Sequence, residues 1–278
     1  FPFSAGAITP QEWQSDLQQQ IENLRSRLPN LALSAPVAVT AKGDQLEAII
    51  PPATGSDAAG NLWRTPVLTL HTPAAAPVVQ SLEVLPGGPI ALMQKGVGRQ
   101  IALQRLQLQL QDAKQLRLTL DQLQTMQNAA PVLSVGHAVI TYKTKMNATL
   151  SLGQILDLLQ QQIGNDNLLA DADVSDIRFV NKNNTLNVQS LKAQAQIQPQ
   201  PNGGLVTVRN AITAKGIAQS GVNFFSIFMP RDIDMVGTIT ALPKEVLKGT
   251  LASDEMQRAM AAAGTKITLD HFQSQTPT

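Results

Sequence analysis

Ile101-Ala102-Leu103-Gln104-Arg105-Leu106-Gln107-Leu108-Gln109-Leu110-Gln111, followed three residues later by Gln115-Leu116-Arg117-Leu118-Thr119-Leu120-Asp121-Gln122-Leu123, decides the fold. Ile101 and Leu103 alternate about Ala102. Leu106, Leu108 and Leu110 then alternate in the opposite phase, Leu116, Leu118 and Leu120 repeat the pattern, and Leu123 follows another slip. A period of two marks a half-buried strand, and a slip of one residue is what a β-bulge produces. The rival is a Leu/Gln helix, because Leu103, Leu106 and Leu110 also fit helical spacing and both residue types favour helices. Alternation sustained over this length favours strands.

Working outward, the pattern persists. Val132 to Leu152 reads as two further strands, and Val67–His71 and Ser81–Leu85 as two more, split by a Pro-Ala loop at 73–77. Val37 and Val39, a Lys42-Gly43-Asp44 turn and Leu46 to Ile50 make a hairpin. Ile177–Val180, a turn at 182–184 and Leu186 to Ile197 make another. Pro201-Asn202-Gly203-Gly204 is a turn before the strand Leu205 to Ile212, and Met235–Thr240 and Ile267–Leu269 are strands. Residues 51–61 read as loop.

Helices are few. Thr9-Pro10-Gln11-Glu12 is a capping box, with Ile8 and Trp13 at the staple positions. Trp13, Leu17, Ile21, Leu24 and Leu28 recur at helical spacing until Pro29, giving an amphipathic helix over 10–28. Shorter helices are expected at 153–163, at 243–247 and after Asp254, the last stopped by Gly264. Short connections between consecutive strands imply antiparallel pairing. The expected fold is therefore α+β and predominantly β: an elongated, curved antiparallel sheet with a few short helices covering one face, in a single unit spanning 1–278.

Composition narrows the function classes. The chain has 278 residues, 43% of them hydrophobic but only 15% charged, with a net charge of +1. It can bury a core, and it lacks the clustered basic residues of a nucleic-acid binder. There is no Cys, which excludes thiolate metal sites, thiol nucleophiles and disulfides and fits a bacterial periplasmic protein. A start at Phe1-Pro2-Phe3 reads as processed or truncated, any signal peptide or membrane anchor preceding it having been removed. No apolar run is long enough to span a bilayer.

Chemistry-bearing motifs are sparse. His71, His137 and His271 lack partners at metal-ligand spacing, and Asp270 and His271, as strand neighbours, are expected on opposite faces. Gly96-Val97-Gly98 matches only half of a dinucleotide loop. Asp171/Asp173 and Asp232/Asp234 are paired carboxylates but lack the Gly and Glu of a calcium loop, and they read as solvated loops. No catalytic residue, metal ligand or cofactor is assigned, and the chain is not expected to be an enzyme.

The segment Val222-Asn223-Phe224-Phe225-Ser226-Ile227-Phe228-Met229 stands apart, holding three of the seven Phe in a chain that is 4% aromatic. It is either a core strand or an exposed apolar lip. In the second case Val222, Phe224, Phe225, Ile227, Phe228 and Met229 are candidate ligand-binding residues.

The stretches 101–123 and 132–152, with Ile233-Asp234-Met235-Val236-Gly237-Thr238-Ile239 and Gly264-Thr265-Lys266-Ile267-Thr268-Leu269-Asp270-His271-Phe272, resemble the AsmA-like group of Gram-negative envelope proteins and related periplasmic families. The resemblance implies a curved antiparallel sheet with an apolar inner face, placed behind a membrane anchor and acting in lipid handling or envelope assembly. The expected function is binding of lipid or another hydrophobic ligand in the periplasm, possible partners being other envelope proteins. The alternative is a non-enzymatic protein-interaction scaffold whose apolar face is fully covered.

Overall fold

The computed structural model describes residues 6–28, 30–56, 61–94, 96–111, 115–143, 149–151, 169–181, 184–201, 203–220, 229–247 and 253–276. Within them are eighteen strands and three helices, and the recorded strand pairings are all antiparallel. The predominantly β fold read from the alternating stretches is the fold observed. Where the sequence shows no linker, the contacts within the chain fall into two compact units, one of 1–138 with 145–155 and one of 139–144 with 156–278.

Unit 1 opens with α1, Pro10–Arg27. Thr9 Oγ1 accepts from Glu12 N at 3.2 Å, and Thr9 N donates to Glu12 Oε2 at 2.8 Å, so the capping box forms in both directions. Trp13, Leu17, Ile21 and Leu24 are buried along one side of the helix, which lies against the strand Ala38–Lys42.

The sheet of unit 1 is a meander of six arms, five of them broken midway into two strands. The arms are β1 (Ala32–Leu33) with β2 (Ala38–Lys42), β3 (Gln45–Ile50) with β4 (Ala53–Ser56), β5 (Leu62–Thr65) with β6 (Leu68–Pro73), β7 (Ser81–Pro86) with β8 (Ile90–Gln94), β9 (Val97–Ala102) with β10 (Arg105–Gln111), and the unbroken β11 (Gln115–Gln127). On the near side of the break the order is β2-β3-β6-β7-β10-β11. On the far side it is β1-β4-β5-β8-β9-β11.

The breaks line up as one crease. Ile50 pairs with Leu68 before it, and Ala53 with Thr65 three residues later in both arms, so nothing is inserted there. Likewise Arg105↔Asp121 gives way to Ala102↔Gln124. Two arms carry one extra residue each: β7–β8 against β5–β6, at Gly87-Gly88-Pro89, since Leu68↔Pro86 is followed by Leu62↔Met93, and β1–β2 against β3–β4, since Ala38↔Ile49 is followed by Leu33↔Ala53. The phase slip after Leu103, expected as a bulge, is this crease instead, with β9–β10 and β11 bending together and keeping register.

Three further expectations are corrected. Part of the loop at 51–61 is strand β4, because Pro51-Pro52 interrupts the arm without ending it. A strand, β8, follows Gly87-Gly88-Pro89 where none was assigned. In place of two strands over 132–152 a single strand, β12 (Ala130–Lys143), occupies the described part up to Lys143.

On the near side, Leu46, Leu70, Leu108 and Leu116 are fully buried, with Ala48, Ile50, Leu82 and Val84 beside them. These positions occupy one face by alternation. Thr72 on the same face donates from Oγ1 to Ser81 O at 2.8 Å, so its burial leaves no unsatisfied hydroxyl.

Unit 2 is a second meander. β13 (Leu169–Asn181), β14 (Asn184–Pro199), β15 (Leu205–Lys215), β17 (Asp232–Pro243) and β18 (Lys266–Gln275) pair in sequence, and β16 (Ala218–Ser220) extends the β15 side along β14. α2 (Lys244–Leu247) and α3 (Ser253–Ala262) follow β17. Ile197, Val206, Val208 and Leu242 form a buried cluster, against which Val246 and Met260 of these helices pack. The helix expected at 153–163 lies outside the described residues.

Trp13 sets how firmly α1 is held. Trp13→Ala should lower the stability of unit 1 in chemical denaturation by about 3–5 kcal/mol through lost burial and a residual cavity, and Thr9→Ala by about 1 kcal/mol through the cap. Unchanged unfolding of the Trp13 variant would contradict the packing described.

Candidate functional site

Two features of unit 1 gather polar or accessible side chains: a row of charges on the near side of the crease and a pocket on the far side. The row places one ionisable residue on each successive strand. Lys42 Nζ lies 2.7 Å from the Glu47 carboxylate, and Glu47 Oε2 is 3.1 Å from His71 Nε2. His71 Nδ1 is 3.0 Å from Glu83 Oε2, and Glu83 is 3.7 Å from Arg105. Arg105 Nε donates to Asp121 Oδ2 at 2.7 Å, and Asp121 Oδ1 is 2.6 Å from His137 Nδ1.

Register builds this row. Glu47 faces His71 directly, His71 faces Glu83, and Arg105 faces Asp121. Opposite charges on facing strand positions attract, and the sign alternates from strand to strand. Glu47 is buried even though it is charged, which its two cationic neighbours make tolerable.

His71 is held by acceptors on both ring nitrogens. A neutral imidazole carries one N–H and leaves a lone pair facing the other carboxylate, so the protonated ring fits this position and the neutral ring does not. Partial burial alone would lower its pKa, but the hydrogen bonds to Glu83 and Glu47 outweigh it and raise the value. The hydrogen bonds from Lys42 and His71 hold Glu47 below the usual carboxylate range. The hydrogen bond from His137, helped by Arg105, does the same to Asp121. The row is a clamp across the sheet, its members engaged with one another.

The pocket encloses about 450 Å³ and draws its lining from β4, β5, β8, β9 and the turn after β11. Leu62, Ala91, Leu92 and Met93 supply apolar surface, and Thr54, Arg64, Arg99, Gln100 and Asn128 the polar part. Leu62 and Met93 are exposed. Gly55 is required here, because a Cβ on it would lie 2.2 Å from Trp63 Cζ2. Asn128 and Ala129 turn the chain with φ of 49° and 64°, and Asn128 N donates to Gly98 O at 2.9 Å.

Of the candidate ligand-binding residues, Val222, Phe224, Phe225, Ile227 and Phe228 lie outside the described residues, and Met229 is half-buried. The carboxylate pairs stand on strands, not in solvated loops: Asp171 and Asp173 on β13, Asp232 and Asp234 on β17. Asp232 Oδ1 accepts from Gly216 N at 2.9 Å, and Asp173 is 3.6 Å from Lys192. Among the described residues no group of three or more His, Asp or Glu is placed to hold a metal ion.

Sequence spacing concealed the partners of the histidines. His71 and His137 lack nearby acids in the chain, yet strand register supplies them. Asp270 and His271 are also corrected. A bulge leaves Asp270 without a partner on β17, between Gly237↔Leu269 and Val236↔His271. Asp270 then accepts from Thr238 Oγ1 while His271 Nε2 stands 3.9 Å from Asp234, and alternation puts Thr238 and Asp234 on one face of β17.

No family model matches the sequence, and neither the curated proteins nor the solved structures contain a match.

The row makes stability depend on pH from both sides. The contribution of His71 is complete below about pH 6.5 and fades as pH climbs through its raised folded value. Those of Glu47 and Asp121 are complete above about pH 4 and fade as pH falls through their lowered values. Thermal unfolding of unit 1 should therefore peak between these limits, and His71→Gln should flatten the alkaline decline. A decline of the same slope in wild type and variant would refute the clamp.

Proposed function

We propose that the chain is a periplasmic envelope protein that binds a lipid or another hydrophobic ligand without transforming it. The observation that carries the reading is the pocket beyond the crease. Leu62 and Met93 of its apolar lining are open to solvent, and accessible apolar surface in a concave site favours a ligand that covers it. Its volume sits toward the low end of the roughly 300–1,000 Å³ typical of small-molecule sites, which favours a single acyl chain over a multi-chain lipid.

Charge favours an acidic head on that chain. Arg64 lines the pocket on the same sheet face as Leu62, Ala91 and Met93 and forms no ion pair among the described residues. A carboxylate or phosphate at the mouth would meet a guanidinium able to hold it by two parallel hydrogen bonds. The resemblance to AsmA-like envelope proteins points the same way. The absence of Cys is compatible with an oxidising compartment. Among the described residues no helix is long and apolar enough to cross a membrane. The aromatic segment 222–229 remains a second candidate for the same ligand.

Fluorescence titration with a fluorescent fatty acid tests the reading. Leu62→Gln with Met93→Gln, at exposed positions where neutral polar substitution leaves folding nearly unchanged, should weaken binding about tenfold or more. Phe225→Ser with Phe228→Ser should leave the affinity as it is. Loss of binding in the second variant alone moves the site to 222–229, and no binding by the wild type ends the proposal.

A further inference from the structure

The last strand of unit 2 is an open edge. β18 pairs with β17, and among the described residues no strand pairs with its other side. All ten of its residues are exposed, including Ile267 at 72%, Leu269 at 59% and Phe272 at 54%. An edge of this length with large apolar side chains is a template for another strand.

The bulge at Asp270 gives this edge its character. By simple alternation Phe272 would point away from Ile267 and Leu269. With Asp270 passed over, Ile267, Leu269 and Phe272 stand opposite Ile239, Gly237 and Met235, alternate positions of β17, so all three share one face. The same bulge brings Asp270 and His271 together on the other face.

We infer that β18 pairs with β18 of a second copy of this chain, antiparallel about a twofold axis between Asp270 and His271. In that register Leu269 faces Phe272 of the second copy, Ile267 faces Ser274, and Asp270 faces His271, each contact occurring twice because the interface is isologous. The apolar face continues across the axis, and an acid meets a histidine on the opposite face. The main chain is suited to it. Gln275 O accepts from Arg231 N at 2.7 Å, so the main chain at Gln275 faces β17. Alternation then turns the groups of Ser274 and Phe272 outward, and past the bulge those of Leu269 and Ile267. Facing residues of the two copies thus both offer free N–H and C=O groups. The second copy is favoured over an unrelated strand because the apolar pairs and the Asp270–His271 pairs are satisfied in one and the same register.

The chain contains no Cys, so introduced thiols report on this contact alone. Leu269→Cys and Phe272→Cys, mixed and oxidised, should give a disulfide-linked heterodimer, whereas each variant alone should not, since like positions lie about three residues apart along the strands and beyond disulfide reach. Light scattering after size exclusion should show a wild-type dimer that Leu269→Lys converts to monomer with unchanged unfolding. A monomeric wild type at high concentration, a dimer that survives Leu269→Lys, or a mixture that does not cross-link overturns the inference.

Discussion

The crease of unit 1 is the constraint on which the accessible part of the structure depends. Strands in a meander share hydrogen bonds, so one arm cannot bend alone without losing its partners. Here the interruptions fall level with one another: Pro51-Pro52, which offer no main-chain donors, then Pro66, then Gly87-Gly88-Pro89, then Leu103-Gln104. Unbroken β11 accommodates the bend at Gln122, whose φ of 54° is rare outside glycine. Cross-crease bonds survive, as between Gly87 N and Val67 O at 2.8 Å and Ser34 N and Pro52 O at 3.0 Å. The two sides thus remain one sheet while acquiring different surroundings. The near side buries its leucines in the core that contains α1, and the far side is left with a pocket.

The charged row occupies the face opposite those leucines and ends against the crease at Arg105 and Asp121. Paired charges on an open surface contribute little to stability. The members of this row differ because Glu47, His71 and Asp121 are largely withdrawn from water; Glu47 and His71 each lie between two partners of opposite sign, and Asp121 is held by Arg105 and His137. Removing one member strands its neighbours beside like-charged or unpaired groups, so the row acts as a unit. The register that the buried leucines impose assembles it, and register likewise decides which side chains reach the pocket.

Much of this was legible in the chain. The capping box at Thr9–Glu12 and the stripe from Trp13 to Leu24 define α1 by local chemistry alone. The Leu/Gln alternation at 105–121 defines β10 and β11 because one face must be buried. The far-side strands β4 and β8 were not legible, since the Pro and Gly residues that make the crease read as loop when each arm is taken singly. The row was hidden for a different reason. Glu47, His71, Glu83, Arg105, Asp121 and His137 meet only through pairing between strands, which no spacing within the chain encodes. The pocket has the same origin: Gly55, Trp63 and Met93 are unremarkable in sequence until the arms are laid side by side. A bulge of one residue likewise decides that Asp270 and His271 share a face.

The central claim is that the sheet surface beyond the crease holds a hydrophobic ligand. Native mass spectrometry of the freshly purified full chain tests it most directly. The account predicts the protein with one additional mass, removable by organic extraction and restored by adding a single-chain fatty acid. A bare chain in every preparation that also takes up no added fatty acid would contradict it.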